Sequence, residues 1–114
     1  MNLALKLSGR EVPVNWESNS SVQMIMQKLS TFKRFYMKKE ANRQVADLGI
    51  SFARNDRSMI TSPGDIMLQS GSQFVIFAGE SNQTGTVIGH INYPESQIKN
   101  LLAKSNLQME LFEK

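Results

Sequence analysis

Cysteine is absent from the 114 residues of this chain, and histidine occurs only once, as His90. The lack of cysteine excludes disulfide bonds, thiol nucleophiles and cysteine-ligated metals. Catalytic zinc generally takes three protein ligands, and no cluster of histidine and carboxylate residues at a suitable spacing accompanies His90. The sequence therefore predicts neither a metal site nor a cofactor.

Long apolar runs are also absent. A membrane helix needs about 20 consecutive apolar residues, and no stretch approaches this length. The apolar segment Leu3–Leu7 is interrupted by Lys6 and followed by polar residues, so it lacks the pattern of a signal peptide. We expect no membrane contact and a cytoplasmic location.

The length and the charge of the chain are those of a small globular protein. A chain of 114 residues can bury one core, so residues 1–114 are predicted to form a single domain. The net charge of +3 is too small to imply a polyanionic partner.

Three segments carry apolar residues at alternate positions, which is the pattern of half-buried strands. They are Leu3, Leu5 and Leu7; Val12, Val14 and Trp16; and Leu107, Met109 and Leu111. Ser8-Gly9 between the first two favours a β-hairpin, and Pro13, which has no N–H, is expected at a sheet edge. Ser62-Pro63-Gly64-Asp65 predicts a type II turn with a positive φ at Gly64.

Two segments have the apolar spacing of short helices. The first stripe consists of Val22, Ile25, Met26 and Leu29, in a helix predicted to end near Ser30, and Thr31–Met37 suits a strand. The second helix begins at Pro94. Lys38–Arg43 and Gly79–Gly85 are predicted to be polar connections. The many short strands predict a mainly β protein, a closed β-barrel with two short helices. The alternative is an α+β open sheet that carries both helices on one face.

Four motifs occur in the order and spacing of small bacterial cyclophilin-like proteins. They are Pro63-Gly64-Asp65-Ile66, Phe74–Phe77, Ile88-Gly89-His90-Ile91 and Tyr93-Pro94-Glu95. Over residues 62–102 the chain therefore resembles the cyclophilin-like superfamily, and more closely its small single-domain branch of unknown function. The resemblance implies a cyclophilin-like barrel.

The stretch Gly71–Ile76 is also similar to part of the true cyclophilins, which are prolyl isomerases. Val75 stands where those enzymes carry the aromatic floor of the proline pocket. Their arginine-bearing strand has no counterpart here, because neither Arg54 nor Arg57 has its flanking residues. The resemblance thus implies the fold and not the activity. A prolyl isomerase with a divergent site is the alternative.

The favoured function is the binding of a small apolar molecule or a peptide segment at the barrel mouth, without an assigned catalytic residue. Methionine and aromatic side chains adapt well to such ligands. The candidate contacts are Met59, Met67, Phe74, Phe77, His90, Arg54 and Arg57. His90 would act as a ligand contact or a proton shuttle, although a lone histidine without a nearby acidic or serine motif is more often structural.

Six basic residues lie in the window Lys28–Arg43, interleaved with Phe32, Phe35 and Tyr36. Such a surface would suit single-stranded nucleic acid, where aromatic rings stack on bases and cations contact phosphates. The modest net charge favours the simpler interpretation, in which the aromatic rings face the core and the basic groups are solvated. Nucleic-acid binding is therefore the weaker alternative.

Overall fold

The computed structural model describes residues 2–28 and 33–114. These residues form eleven strands and two helices. The strands are β1 (Leu3–Leu7), β2 (Arg10–Val12), β3 (Val14–Trp16), β4 (Lys33–Tyr36), β5 (Lys38–Glu40), β6 (Arg43–Asp47), β7 (Arg57–Ile60), β8 (Asp65–Gln69), β9 (Gln73–Phe77), β10 (Asn82–Ile91) and β11 (Gln108–Glu113). The helices are α1 (Ser20–Lys28) and α2 (Glu95–Leu102).

The strands pair into two antiparallel sheets. The first has four strands in the order β2-β1-β11-β4. The second has seven strands, in the order β3-β10-β8-β9-β6-β5, with β7 also paired to β10. In the described part of the chain, neither sheet returns to its first strand. The protein is therefore mainly β with two helices, as predicted.

Strand pairing does not close the two sheets into the barrel that the sequence led us to expect. The chain passes from the first sheet to the second at Pro13, between β2 and β3, and again at Met37, between β4 and β5. Pro13 directs its carbonyl toward β10, where it accepts the N–H of Asn92 at 2.8 Å, and the alternating segment Val12–Trp16 is thereby divided between two sheets. The sheets are thus joined at corners by the chain itself.

One apolar core lies between the two sheets, and both helices contribute to it. The residues of the three alternating segments all belong to this core, with Val14 and Trp16 half-buried at its margin. From the second sheet and the helices it receives Ile66, Leu68, Phe74, Ile76, Ile88, Ile91, Val22, Ile25, Ile98 and Leu102. This arrangement excludes the open-sheet alternative, because the helices and both sheets share one interior.

Several predicted boundaries change in the structure. The segments 38–43 and 79–85, predicted as polar connections, contain β5 and the first residues of β10. The first forms a tight hairpin with β6, and the second pairs with β7 from Asn82 to Gly85. The predicted end of the first helix near Ser30 lies outside the described residues. No helix in the described ranges has the length and apolar character needed to cross a membrane.

The turn before β8 has the predicted geometry. The N–H of Asp65 donates to the carbonyl of Ser62 at 3.0 Å, and Gly64 has φ +96°. A Cβ at Gly64 would also lie only 3.1 Å from the carbonyl oxygen of Ile91 and from Cδ1 of Ile98. Gly64 is therefore required for its backbone conformation and for the close approach of β10 and α2.

Gly64→Ala should destabilise the fold more than Gly9→Ala does. Gly9 also has a positive φ, +81°, but nothing lies within 4 Å of an added Cβ there. Gly9→Ala should lower the free energy of unfolding by about 1 kcal/mol, the strain of a left-handed residue. Gly64→Ala should cost at least about 1 kcal/mol more, because the methyl group must displace a main-chain oxygen. Urea unfolding of both variants measures the difference, and equal losses would show that the close approach carries no energy.

Candidate functional site

A groove opens where β1 and β3 separate beside the Pro13 corner. Its larger part is a cavity of about 430 Å³ lined by Asn2, Leu3, Val14, Asn15, Trp16, Glu17, Ser18, Val22, Gln23 and Met26. A second cavity of about 270 Å³ shares Asn2, Leu3 and Val14–Trp16 and extends to Pro13 and Lys114. We call the two together the seam groove.

The seam groove exists because the pairing of β1 with the following chain stops early. The register of β1 with β2 ends at the pair Leu5–Val12. If the hairpin continued, Leu3 would pair with Val14 next. Instead the chain turns at Pro13, and Val14 pairs with Ile91 of β10. The groove is thus the open seam between the two sheets.

Trp16, the only tryptophan of the chain, is held in place by Phe74 and by the backbone of β10. Its ring centroid lies 6.5 Å from that of Phe74, with the rings tilted by 56°. A Cβ at Gly89 would lie 3.1 Å from Cε3 of Trp16, so the indole rests directly on the backbone of β10. The indole is half-buried, and it also lines both parts of the seam groove.

Helix α1 forms the opposite wall of the groove through Val22 and Met26. Asn19 caps this helix, because its Oδ1 accepts the N–H of Val22 at 3.0 Å. The Nδ2 of Asn19 donates to the carbonyl of Val87 at 3.0 Å, and the hydroxyl of Ser21 donates to that of Ala53. These bonds fix the start of α1 against β10 and against the segment before β7 that contains Ala53. The wall of the groove that α1 forms is therefore held in place.

The seam groove contains few charges. In the part of the chain that the structure describes, Glu17 is the only charged residue that lines the larger cavity. In the smaller cavity, Glu11 and Lys114 form an ion pair at 2.7 Å. An uncharged or cationic occupant therefore suits the larger cavity better than an anionic one.

Three of the apolar candidates predicted from the sequence come together elsewhere. Met67 and Phe77 are fully buried in a second cluster with Val45 and Val75, and Met59 is half-buried against it. Phe74 points to the other face of the sheet and belongs to the main core. The second cluster thus lies on the outer face of the seven-stranded sheet.

A small cavity of about 150 Å³ reaches the second cluster at Phe77. Arg43 also lines it, and its guanidinium contacts two neighbouring side chains. Nη2 contacts Oε1 of Glu40 at 2.9 Å, and Nη1 donates to Oε1 of Gln69 at 2.8 Å. The described lining of this cavity includes neither Arg54 nor Arg57.

The two predicted arginines lie next to a different, polar cavity. Arg54 forms an ion pair with Asp56, and Arg57 lines a cavity of about 180 Å³ with Glu17, Asn19, Asn55, Thr86 and Val87. The Thr86 hydroxyl accepts the N–H of Asn55 at 2.8 Å and donates to Oδ1 of Asp56 at 2.7 Å. The hydrogen bond from Arg54, and next the one from Thr86, hold the pKa of Asp56 below its ordinary value.

His90 pairs with Asp65 at the Gly64 turn. Its Nδ1 lies 2.7 Å from Oδ1 of Asp65, whose Oδ2 accepts the main-chain N–H of Ser62 at 2.8 Å. In a catalytic triad the serine hydroxyl bonds to the histidine, whereas Ser62 contacts Asp65 through its main-chain N–H. His90 lines none of the cavities described above. Its role as a ligand contact stays a prediction.

The basic window is spread over the end of α1 and three strands, β4, β5 and β6, which belong to two sheets. Arg34 contacts Glu110 at 3.3 Å, Lys39 donates to the carbonyl of Ala103 at 3.2 Å, and Arg43 is paired as described. Phe35 is half-buried against the core, whereas Tyr36 is exposed. Phe32 lies outside the described residues. In the residues that the structure describes, no group of three or more histidine or carboxylate residues is placed to hold a metal.

The sequence pattern of the cyclophilin-like family matches residues 5–111, nearly the whole chain. The chain belongs to the cyclophilin-like family. No curated protein matches this cyclophilin-like chain in sequence.

A solved structure similar to this cyclophilin-like chain is that of McbB in complex with tryptophan. The TM-score is 0.65 at 9% sequence identity, with 99% of this chain covered. The match spans 45% of McbB, so the chain corresponds to less than half of that protein. At this identity the similarity shows a shared fold.

Sequence reasoning assigned Trp16 to the core and missed the seam groove. Two signals for it are nevertheless present in the sequence. Pro13 interrupts an alternating strand, and the only tryptophan follows three residues later. A proline that cannot continue a ladder indicates a corner, and an aromatic residue beside a corner is well placed to remain partly exposed.

Asp56→Asn should weaken the acid sensitivity of the fold. Because its pKa is lower in the folded protein than in the unfolded chain, the Asp56 carboxylate stabilises the fold above about pH 4. This contribution is lost as the pH falls through the folded-state pKa. Urea midpoints at pH 7 and pH 3 should therefore differ less in Asp56→Asn than in the unchanged protein. Glu80→Gln, at an exposed loop position, is the control. If the urea midpoint fell by the same amount between pH 7 and pH 3 in all three proteins, the stabilising role of the Asp56 carboxylate would be contradicted.

Proposed function

We propose that this chain is a binding protein that holds a small apolar molecule or a peptide segment in the seam groove, without catalysing a reaction on it. The observation that carries the proposal is the half-buried Trp16, which lines a 430 Å³ cavity with Leu3, Val22 and Met26. Aromatic and apolar walls with a few polar groups are typical of ligand sites in proteins.

The size of the groove supports this location over the cavity at Phe77. Ligand pockets usually measure about 300–1,000 Å³, and the larger cavity at 430 Å³ falls within that range. The cavity at Phe77 measures about 150 Å³, roughly the volume that accommodates a single benzene ring. A ligand that bound the second cluster would also have to expose Met67 and Phe77, which are buried.

The lining chemistry of the groove favours binding over catalysis. Asn2, Asn15 and Gln23 offer neutral hydrogen-bonding groups, and Glu17 is the one ionisable side chain of the larger cavity. McbB, whose fold is similar, is known in complex with tryptophan. That complex supports the view that a chain of this fold can hold a small aromatic molecule.

An uncharged fluorescent probe should bind beside Trp16 and quench its emission by energy transfer. N-phenyl-1-naphthylamine is suitable, because it carries no charge and absorbs where tryptophan emits. Met26→Glu, which places a carboxylate in the groove, should weaken probe binding by a factor on the order of ten. Titration of the probe against Trp16 emission measures the change.

Met59→Glu is the matched control, because Met59 is also half-buried but packs on the second cluster. It should leave probe binding within about two-fold of the unchanged protein. If Met59→Glu abolished binding and Met26→Glu did not, the ligand site would lie at the outer face of the sheet, near the residues first predicted. Urea midpoints confirm that both variants are folded.

We expect no prolyl isomerisation above background at micromolar protein. The barrier to rotation is close to 20 kcal/mol, and lowering it requires an arginine held in a defined position. Arg54 and Arg57 do not line the cavity at Phe77, and Arg43, which does, is occupied by Glu40 and Gln69. A coupled proline-peptide assay tests this. Turnover that disappears in Arg43→Ala, or in Arg54→Ala or Arg57→Ala, would establish the enzyme alternative.

A further inference from the structure

We propose that the occupant of the seam groove is an extended peptide with a basic residue, and that it pairs as an added strand with the outer edge of β3. This inference rests on the proposed function and names the ligand class for the same site. It draws on three features of the groove: the direction of main-chain groups in β3, the recessed position of that strand, and the charge of Glu17.

The main chain of β3 offers hydrogen-bonding groups to the groove. In the described part of the chain, β3 is the last strand of its sheet, with β10 on one side. The N–H of Glu17 donates to Ile88 at 2.9 Å, and the carbonyl of Pro13 accepts from Asn92 at 2.8 Å. Residues of an antiparallel strand alternate in direction, so Val14 and Trp16 turn their N–H and carbonyl groups away from β10.

The part of β1 that faces the groove also directs main-chain hydrogen-bonding groups toward it. Asn2 and Lys114 exchange two main-chain hydrogen bonds, at 2.9 and 2.7 Å, so Asn2 faces β11. By the same alternation, Leu3 directs its N–H and carbonyl toward the groove, beyond the point where pairing with β2 ends at Leu5. A strand edge with donors and acceptors two residues apart is complementary to another extended chain, and peptide recognition by strand addition uses this pattern.

The recess of β3 favours a single peptide over the edge of a second folded copy. Besides β3, the larger cavity is lined by Asn2 and Leu3 at the start of β1 and by Val22 and Met26 of α1. The strand itself has only three residues, about 10 Å at a rise of roughly 3.3 Å per residue. A narrow extended segment can enter between these walls, whereas a sheet edge would have to displace α1.

The charge of the groove favours a basic residue over an acidic one in the peptide. Among the described residues, Glu17 is the only charged one lining the larger cavity, and it adjoins Trp16 at the end of β3. A lysine or arginine side chain of the peptide beside Glu17 would contact both the Glu17 carboxylate and the face of the Trp16 indole. Both interactions favour a cation. An acidic side chain there would be disfavoured by the same groups.

The test uses a capped peptide, acetyl-Thr-Val-Lys-Val-Thr-amide, and three relatives of it. One carries N-methyl groups on alternate residues along one edge, the second carries them along the other edge, and the third has Glu in place of Lys. We expect the parent to change Trp16 emission and to slow amide hydrogen exchange at Trp16 at least ten-fold at saturation. One of the two N-methylated peptides should bind at least ten-fold more weakly than the parent. The Glu peptide should bind at least three-fold more weakly than the parent.

Matched protein variants locate the basic residue. Glu17→Gln should weaken binding of the Lys peptide about three-fold, whereas Glu80→Gln, at an exposed loop position outside the described cavities, should leave it unchanged. Equal binding of the parent and both N-methylated peptides would overturn strand addition. Exchange protection of Trp16 that rises with protein concentration, without peptide, would show instead that a second copy occupies the edge.

The outcomes for this inference and for the proposed function are distinguishable. If N-phenyl-1-naphthylamine binds beside Trp16 and is sensitive to Met26→Glu while no peptide binds, the peptide inference is wrong and the proposed function stands. If neither the probe nor the peptides change Trp16 emission, both are wrong.

Discussion

The exchange of strand partners at Pro13 is the constraint on which the rest of this structure depends. If the ladder of β1 and β2 continued, Leu3 would pair with Val14. Because the ladder stops at Leu5–Val12, the chain turns into the second sheet, and Val14 pairs with β10 instead. The same turn produces the shared core, the unpaired edge of β3 and the groove that contains Trp16. One residue thus connects the architecture to the candidate site.

The second sheet is buried on both faces at its central strands β8 and β9, and this explains where the apolar residues of these strands lie. Ile76 faces the main core, whereas Val75 and Phe77 face the second cluster. Gln69 covers part of this outer face by accepting from Arg43 and donating to Gln83 at 3.0 Å. The second cluster is thus a small second core, which hydrogen-bonded polar side chains partly cover. Packing therefore accounts for Met67 and Phe77 without a ligand.

The sequence predicted most of the elements because their signals are local. The period-two segments, the apolar stripe of α1 and the Pro63-Gly64 turn depend on residues close in the chain, and the structure confirms them. The unpredicted features depend on partners far apart. Asn82–Gly85 becomes a strand only because β7 lies beside it, and the division of Val12–Trp16 requires β10 as the new partner of Val14. Pro13 and Trp16 indicate a corner in the sequence, but no local pattern identifies β10 as the new partner, so the position of the groove between the two sheets requires the structure.

The positions of the reactive groups support the proposed binding function over a catalytic one. His90 and Asp65 form their pair at the Gly64 turn, and neither lines the seam groove. Ser18 does line it, but a serine nucleophile needs an adjacent base, and no histidine or lysine lines the larger cavity with it. Catalysis also requires groups aimed at the charge that develops in the transition state. The groove instead presents an indole, neutral amides and a strand edge. These groups suit recognition by shape and by main-chain hydrogen bonds, which is what the proposed binding of an extended ligand requires.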